Sequence, residues 1–294
     1  MDAHYEATVA ELRAHGYVAD AEIATALYLA DELNKPILIE GEAGVGKTEI
    51  AHVLARMKDT ELIRLQCYEG LDFNSALYEW NYQKQILSLR LHEAQHDTDI
   101  ALTDFYSEEY LSYRPISRAM MADRRVVLLL DEVDRADEEF EALLLETLAE
   151  YQLTIPELGA VTAKHIPYII LTSNRTRELT DALRRRCLYL WMDYPSYDKE
   201  LEVIRLKVPT LDLALAAQAA KFVQCLREMP LNKIPGLSEA VDWSMALQKT
   251  NVTRLNESAV VNTLGCLLKD HHDITRFRQE MLQPLLDKVN EPDV

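Results

Sequence analysis

The sequence predicts an α/β fold, a parallel sheet with helices on both faces, followed by an all-helical domain. Three observations predict it. Residues 35–57, KPILIEGEAGVGKTEIAHVLARM, read as a strand, a glycine-rich loop and an amphipathic helix with Ile50, Val53, Leu54 and Met57 at helical spacing. Residues 126–130, VVLLL, are an aliphatic run ending on Asp131 and Glu132, as expected of a strand buried on both faces of a parallel sheet. The segments beyond Pro195 repeat their apolar residues at helical spacing. The expected division is residues 1–196 for the α/β core and 197–294 for the helical domain.

The loop fits G-x-x-x-x-G-K-[ST] with Gly41, Glu42, Ala43, Gly44, Val45, Gly46, Lys47 and Thr48. Its glycines let the backbone curl so that N–H groups point inward around a phosphate, at the positive end of the following helix. Lys47 offers a cation to the β- and γ-phosphates, and Thr48 a hydroxyl to Mg²⁺. With Glu49 after them, these residues form the candidate ATP-binding set.

A nucleotide hydrolase also needs a carboxylate for the metal and a group that activates water. Asp131 terminates the aliphatic strand, where ligands collect at the carboxyl edge of such sheets. It is the candidate Mg²⁺ ligand beside Thr48, and Glu132 is the candidate base. Asp137, Glu138 and Glu139 suit the start of a helix instead. A third strand, YIILTSNRT at 168–176, ends in Thr172, Ser173 and Asn174; the Asn174 amide can hydrogen-bond the attacking water or the γ-phosphate. Residues 61–67 read as a further strand.

The remaining composition excludes several classes. A net charge of −18 opposes wholesale nucleic-acid binding, which needs a basic surface. The four cysteines are scattered without a Cys-x-x-Cys pair, favouring a reducing cytosol. No apolar run approaches the roughly 20 residues of a membrane span, and the N-terminus lacks the order of a signal peptide. The expectation is a cytoplasmic protein without an integral membrane segment. His92-Glu93-Ala94-Gln95-His96 matches H-E-x-x-H, which on a helix can bind zinc. No third ligand follows and the flanks are polar, so these histidines read as surface residues.

In their order, GEAGVGKT, LLLDEVDRAD, LTSN and LRRRC resemble an AAA+ ATPase. DEVDRADEEFEALLLETLAEYQLTIPELG, TSNRTRELTDALRRRC and IPGLSEAVDWSMAL are similar to the MoxR family, nearest the CoxD-type branch associated with carbon monoxide dehydrogenase and related molybdenum hydroxylases. The resemblance implies a P-loop core in which residues 41–48 are Walker A, Asp131 and Glu132 are Walker B, and Asn174 is sensor 1. It implies an arginine finger in LRRRC that reaches a neighbouring subunit's ATP. Helix geometry bears on which arginine: Leu179 and Leu183 should face the core, and Arg186 lies three beyond Leu183. Arg186 is the first candidate and Arg185 the second, with Arg184 solvated. Tyr17 and Val18 stand where relatives pack the adenine, although ordinary core packing accounts for them equally well.

The resemblance also implies an insert in helix 2, covering YEGLDFNSALYEWNYQKQILSLRLHEAQ, and a hairpin before the sensor 1 strand at 151–167, with Glu157, Leu158 and Gly159 at its turn. Where many relatives carry a sensor 2 arginine, this chain has Ser238, Glu239 and Ala240, so no sensor 2 residue is assigned. The implied activity is Mg²⁺-dependent ATP hydrolysis by a homo-oligomeric ring, of hexamer type. Its implied partners are a von Willebrand factor A domain adaptor and a metalloenzyme client matured or activated by a chaperone-like remodeller. Two alternatives stand beside it: a ring NTPase motor acting on nucleic acid, which predicts basic pore segments, and a nucleotide-binding scaffold without turnover.

Overall fold

The structure, a computed structural model, describes residues 2–95, 106–155 and 158–290. The chain divides into two compact units. The first is built on Ala21–Glu40 and Thr48–Trp191, the second on Val9–Asp20, Gly41–Lys47 and the chain from Met192 onward.

Helices α1 (Asp2–Ala14) and α2 (Ala21–Glu32) precede strand β1 (Ile37–Gly41), whose five residues are all buried. The glycine loop leads into α3 (Lys47–Met57), and β2 (Leu62–Gln66) follows. Residues 68–95, where the insert is expected, contain α4 (Phe73–Ala76), β3 (Tyr78–Trp80) and α5 (Tyr82–Gln95); β4 (Leu111–Tyr113) and α6 (Pro115–Met121) come after them. β3 and β4 pair antiparallel, with Tyr78 opposite Tyr113. His92, on α5, is half-buried, while His96 lies outside the described residues. Among the described residues no group of three His, Cys, Asp or Glu side chains could hold a metal ion.

β5 (Val127–Asp131) is fully buried and gives way to α7 (Glu138–Glu150), capped by Asp137, whose carboxylate accepts from the Phe140 N–H. The expected hairpin forms from β6 (Gln152–Ile155) and β7 (Gly159–Thr162), with Gln152 opposite Thr162; Glu157 lies outside the described residues. β8 (Tyr168–Ser173), α8 (Asp181–Arg186) and β9 (Leu188–Met192) complete the sheet, whose order is β2-β5-β8-β1-β9. β2, β5, β8 and β1 run parallel. Leu38, Leu128, Leu130, Leu171 and Leu183 are wholly buried around this sheet. Apolar burial is the dominant favourable contribution to such a core.

The helical unit contains α9 (Tyr197–Lys207), α10 (Leu213–Arg227), α11 (Leu237–Lys249), α12 (Glu257–Thr263), α13 (His271–Arg276) and α14 (Leu282–Asn290). Phe222 forms its centre, with ring centroids 5.0 Å from Trp243 and 5.9 Å from Phe277. The Trp243 indole N–H donates to Thr263 Oγ1 at 2.7 Å, so the one polar atom of that buried ring has a partner. Periodicity predicts single helices over 257–270 and 274–289. The first instead tightens into a 3₁₀ turn at Leu264–Cys266, and the second follows α13 through a π turn at Phe277–Met281. Among the described residues no helix is long and apolar enough to cross a membrane.

Candidate functional site

In the first unit, register decides which side chains meet. Leu130 pairs with Leu171 across β5 and β8, so Asp131 stands level with Thr172, and Asn174 lies two residues farther along. The Thr172 hydroxyl donates to Asp131 Oδ1 at 2.6 Å and accepts from the Glu132 N–H at 2.9 Å. Thr48, at the start of α3, donates to the same Oδ1 at 3.0 Å. From β2, Arg64 places Nη2 2.5 Å from Asp131 Oδ2. One buried carboxylate thus gathers groups from β2, α3 and β8. Its oxygen beside a hydroxyl is a donor set suited to Mg²⁺, which binds few protein oxygens and completes its shell with water and phosphate.

Glu132 leaves the strand with φ 57°, in the left-handed region, an uncommon conformation for a residue with a side chain. Its carboxylate accepts from Arg135 at 3.0 Å. Cys67, buried just beyond β2, donates its backbone N–H to Asp131 O at 2.8 Å. Burial first, and then the charges of Asp131, Asp134 and Glu132, push its thiol up to about 12.

Two further buried carboxylates shape the path from Asn174 to the arginines. Asp134 accepts from the N–H groups of Asn174 at 3.2 Å and Thr176 at 2.8 Å, and from the Thr176 hydroxyl at 2.6 Å. Glu141 accepts from Thr180 N and Oγ1 at 2.8 and 2.7 Å and pairs with Arg177 at 2.5 Å. Thr180 then caps α8, accepting from the Leu183 N–H. Leu179 and Leu183 face the core, and Arg185 and Arg186 are exposed. Arg184 departs from expectation. It is not solvated but half-buried, with Nη2 2.6 Å from Oε2 of Glu40, a carboxylate 1% exposed at the end of β1.

In the second unit, Lys47 is buried and its ammonium donates to the carbonyls of Gly41 at 2.8 Å and Glu42 at 2.6 Å. Val45 is buried; Glu42 and Ala43 are exposed. Gly44 has φ 76°, and its carbonyl accepts from the N–H groups of Leu237 at 2.8 Å and Ser238 at 3.2 Å. The first N–H groups of a helix lack intrahelical partners, and in α11 the glycine loop supplies one. Glu239 completes the start of α11 by accepting from the Gly236 N–H at 3.0 Å. Ser238, Glu239 and Ala240 therefore belong to the docking end of α11. Tyr17, buried, and Val18, half-buried, follow α1 within this unit. Glu49, on α3 in the first unit, is half-buried and pairs with Arg56 at 3.1 Å.

Sequence reasoning missed Glu40, Arg64, Asp134, Thr172, Arg184 and Gly236. The signal for Thr172 was available, since a hydroxyl two residues before Asn174 on a strand beside Asp131 must share its edge. Nothing local marks Arg64 or Gly236, whose partners lie 67 and about 190 residues away.

Comparison with known proteins places this geometry. Residues 36–187, just over half of the chain, match the family described as AAA domain (dynein-related subfamily). An uncharacterized protein of Staphylococcus haemolyticus is 28% identical over 204 residues, covering 67% of this chain and 70% of its own. An uncharacterized protein of Staphylococcus aureus is 28% identical over 206 residues with the same coverage. Among solved structures, two RuvB variants from Thermotoga maritima superpose with TM-scores of 0.51 and 0.50 at 17% identity. They cover 93% and 92% of this chain and 76% and 80% of their own. These structures share the fold: a parallel sheet flanked by helices with a C-terminal helical region.

Proposed function

Since the chain belongs to the AAA domain family, dynein-related subfamily, we propose that it hydrolyses Mg²⁺-ATP within a homo-oligomeric ring and uses turnover to remodel a partner protein. The observation that carries this reading is the chain of contacts Thr48–Asp131–Thr172–Glu132, in which hydroxyls hold the Asp131 carboxylate and the Glu132 backbone N–H at one strand edge. The N–H groups of residues 41–48 cradle the phosphates, and Lys47 exchanges its carbonyl partners for the β- and γ-phosphates. Thr48 and Asp131 hold the Mg²⁺, which when bound neutralises charge on the phosphate oxygens. Glu132 orients and deprotonates the attacking water, and Asn174 hydrogen-bonds that water or the γ-phosphate. Tyr17 and Val18 contact the adenine.

The fingers act in trans. Arg186, with Arg185 second, reaches the ATP of the neighbouring subunit, where such a finger accelerates hydrolysis about 10³–10⁵-fold. The helical lid takes residues 197–294. The MoxR resemblance supports a ring of hexamer type, a von Willebrand factor A domain adaptor and a molybdenum hydroxylase-like client, in the cytoplasm. The net charge of −18, and a hairpin at 152–162 without a lysine or arginine, support a protein client over a nucleic-acid track.

Lys47→Ala should abolish nucleotide binding, and Glu132→Gln should retain ATP while blocking hydrolysis. Normal turnover by Glu132→Gln would remove Glu132 from its role. ATPase rates with and without DNA separate the two clients: strong stimulation by DNA would replace protein remodelling with a nucleic-acid motor.

A further inference from the structure

Arg184 and Glu40 belong to different parts of the machinery, and the structure joins them. Glu40 is the last residue before the phosphate loop, bonded directly to Gly41. Its backbone stands opposite Ser173, the residue before Asn174. Arg184 lies in the last turn of α8, the helix that carries Arg185 and Arg186. The Glu40 carboxylate, 1% exposed, receives the Arg184 guanidinium at 2.6 Å and the Tyr189 hydroxyl at 3.1 Å, both on Oε2. The guanidinium also lies over the Tyr189 ring, 5.8 Å from its centroid.

A buried carboxylate stripped of its cation is costly, because nothing in the interior replaces the water it has lost. α8 therefore cannot rotate or slide without either carrying Glu40 with it or leaving that charge behind. α8 is only six residues long, and Arg184 immediately precedes the two exposed arginines, Arg185 and Arg186. A displacement at Arg185 or Arg186 thus passes through one ion pair to Glu40, the residue bonded to the first glycine of the phosphate loop.

We propose that Arg184 is a positioning residue that couples neighbouring ATP sites: through Glu40 it ties the helix presenting Arg185 and Arg186 to a neighbour to the phosphate loop of its own subunit. The proposal rests on the reading of Arg185 and Arg186 as fingers acting in trans. It separates the three consecutive arginines by role, with one facing inward to its own loop and two outward. Energetic links of this kind change affinities or rates by roughly two- to thirtyfold.

The test uses full-length subunits mixed in rings. Lys47→Ala subunits bind no ATP but can donate fingers; subunits with both Arg185→Ala and Arg186→Ala bind ATP but donate none. Mixing the two should restore hydrolysis at their shared interfaces. Adding Arg184→Gln to the donor should lower that restored rate about tenfold. Adding Glu40→Gln or Arg184→Gln to Glu132→Gln subunits should weaken binding of a fluorescent ATP analogue to a similar degree, and Arg184→Lys should recover most of both losses.

If Arg184→Gln alone does not assemble, the Glu40→Gln/Arg184→Gln double variant leaves no unpaired buried charge and keeps the experiment available. A pair that merely holds the fold would be rescued in that double variant. A coupling pair would show both deficits there, no worse than in either single variant. Restored hydrolysis that is insensitive to Arg184→Gln in the donor, or unchanged analogue affinity in both variants, overturns the coupling alone. No restoration between the parent subunits removes trans action, and the coupling with it.

Discussion

The two units fix their functional residues by different means. The first uses side chains: hydroxyls of Thr48 and Thr172, and the Arg64 guanidinium, converge on the Asp131 carboxylate. The second uses backbone against backbone: an alanine methyl at Gly236 would lie 2.7 Å from the Cα of Gly44, and the Gly44 carbonyl accepts the first N–H groups of α11. A side-chain network loses function by degrees as polar groups are exchanged. A backbone contact has no spare volume, so its tolerance is set by single atoms.

The largest expected effect tests what lies beneath the backbone contact. Arg227 is 7% exposed and Glu200 is fully buried, with guanidinium–carboxylate distances of 2.6 and 3.0 Å. The remaining Arg227 nitrogen donates at 2.9 Å to the carbonyl of Pro235, the residue before Gly236. Arg227→Ala leaves Glu200 buried without its cation, and the cost should be about 3–5 kcal/mol in chemical denaturation of the second unit. Arg227→Met with Glu200→Leu should recover most of that stability, since well-packed apolar pairs replace such ions at little cost. A loss below about 1 kcal/mol for Arg227→Ala would mean that Pro235 is held by its own loop.

Thr172→Val should act next, and on chemistry more than on folding. The substitution keeps the shape of the side chain and removes the one group that both donates to Asp131 and accepts from Glu132. An unsatisfied group of this kind costs about 1–3 kcal/mol, so kcat should fall roughly 5- to 150-fold with a smaller change in KM. A KM effect larger than the kcat effect would show that Thr172 serves binding rather than the placement of Glu132.

How much was legible in the sequence follows the same division. Gly41 to Thr48, Asp131, Glu132 and the strand carrying Asn174 announce themselves, because a phosphate loop and strand-end carboxylates need particular residues at short spacing. Leu183 was readable as core, but not through a four-residue period from Leu179, which is buried ahead of the Thr180 cap and outside α8. Arg184 was not: the same triplet gives one inward and two exposed arginines, and only the distant Glu40 at the end of β1 decides which. Gly236 was invisible for a sharper reason. Its φ of −82° is open to any residue, so no turn signal marks it; the requirement for glycine comes from Gly44, far away in sequence. Pairing across such distances is a property of the fold.

That makes Gly236→Ala the direct test of the backbone contact. The added methyl meets the Gly44 Cα at 2.7 Å and its C and O at 2.8 Å, none of which can rotate away. Overpacking of this kind costs about 1–3 kcal/mol. The expected result is weaker nucleotide binding by roughly tenfold with little change in the thermal midpoint, since the glycine loop can retreat while α11 stays in place with Trp243 packed on Phe222. Unchanged affinity would separate the docking of α11 from nucleotide binding.

The smallest effect belongs to the side-chain unit and appears only in alkali. The Cys67 thiol, raised from 9.0 to about 12 by burial and then by Asp131, Asp134 and Glu132, stays protonated in the folded protein where the unfolded chain would ionise. A group whose folded pKa is raised contributes stability that is complete below its unfolded value and lost as pH rises through the folded one. The native state therefore holds a proton between about pH 9 and 12 that the unfolded state releases, and Cys67 contributes to a decline in stability across that window. Thermal melts of the wild type and Cys67→Ala, taken at intervals from pH 8 upward, isolate this contribution, because the tyrosines that also titrate there are common to both. The wild type should fall more steeply above pH 9, and the difference between the two curves should be flat below it. Parallel curves throughout would mean that the folded Cys67 thiol ionises where the unfolded one does, raised neither by burial nor by the charges of Asp131, Asp134 and Glu132.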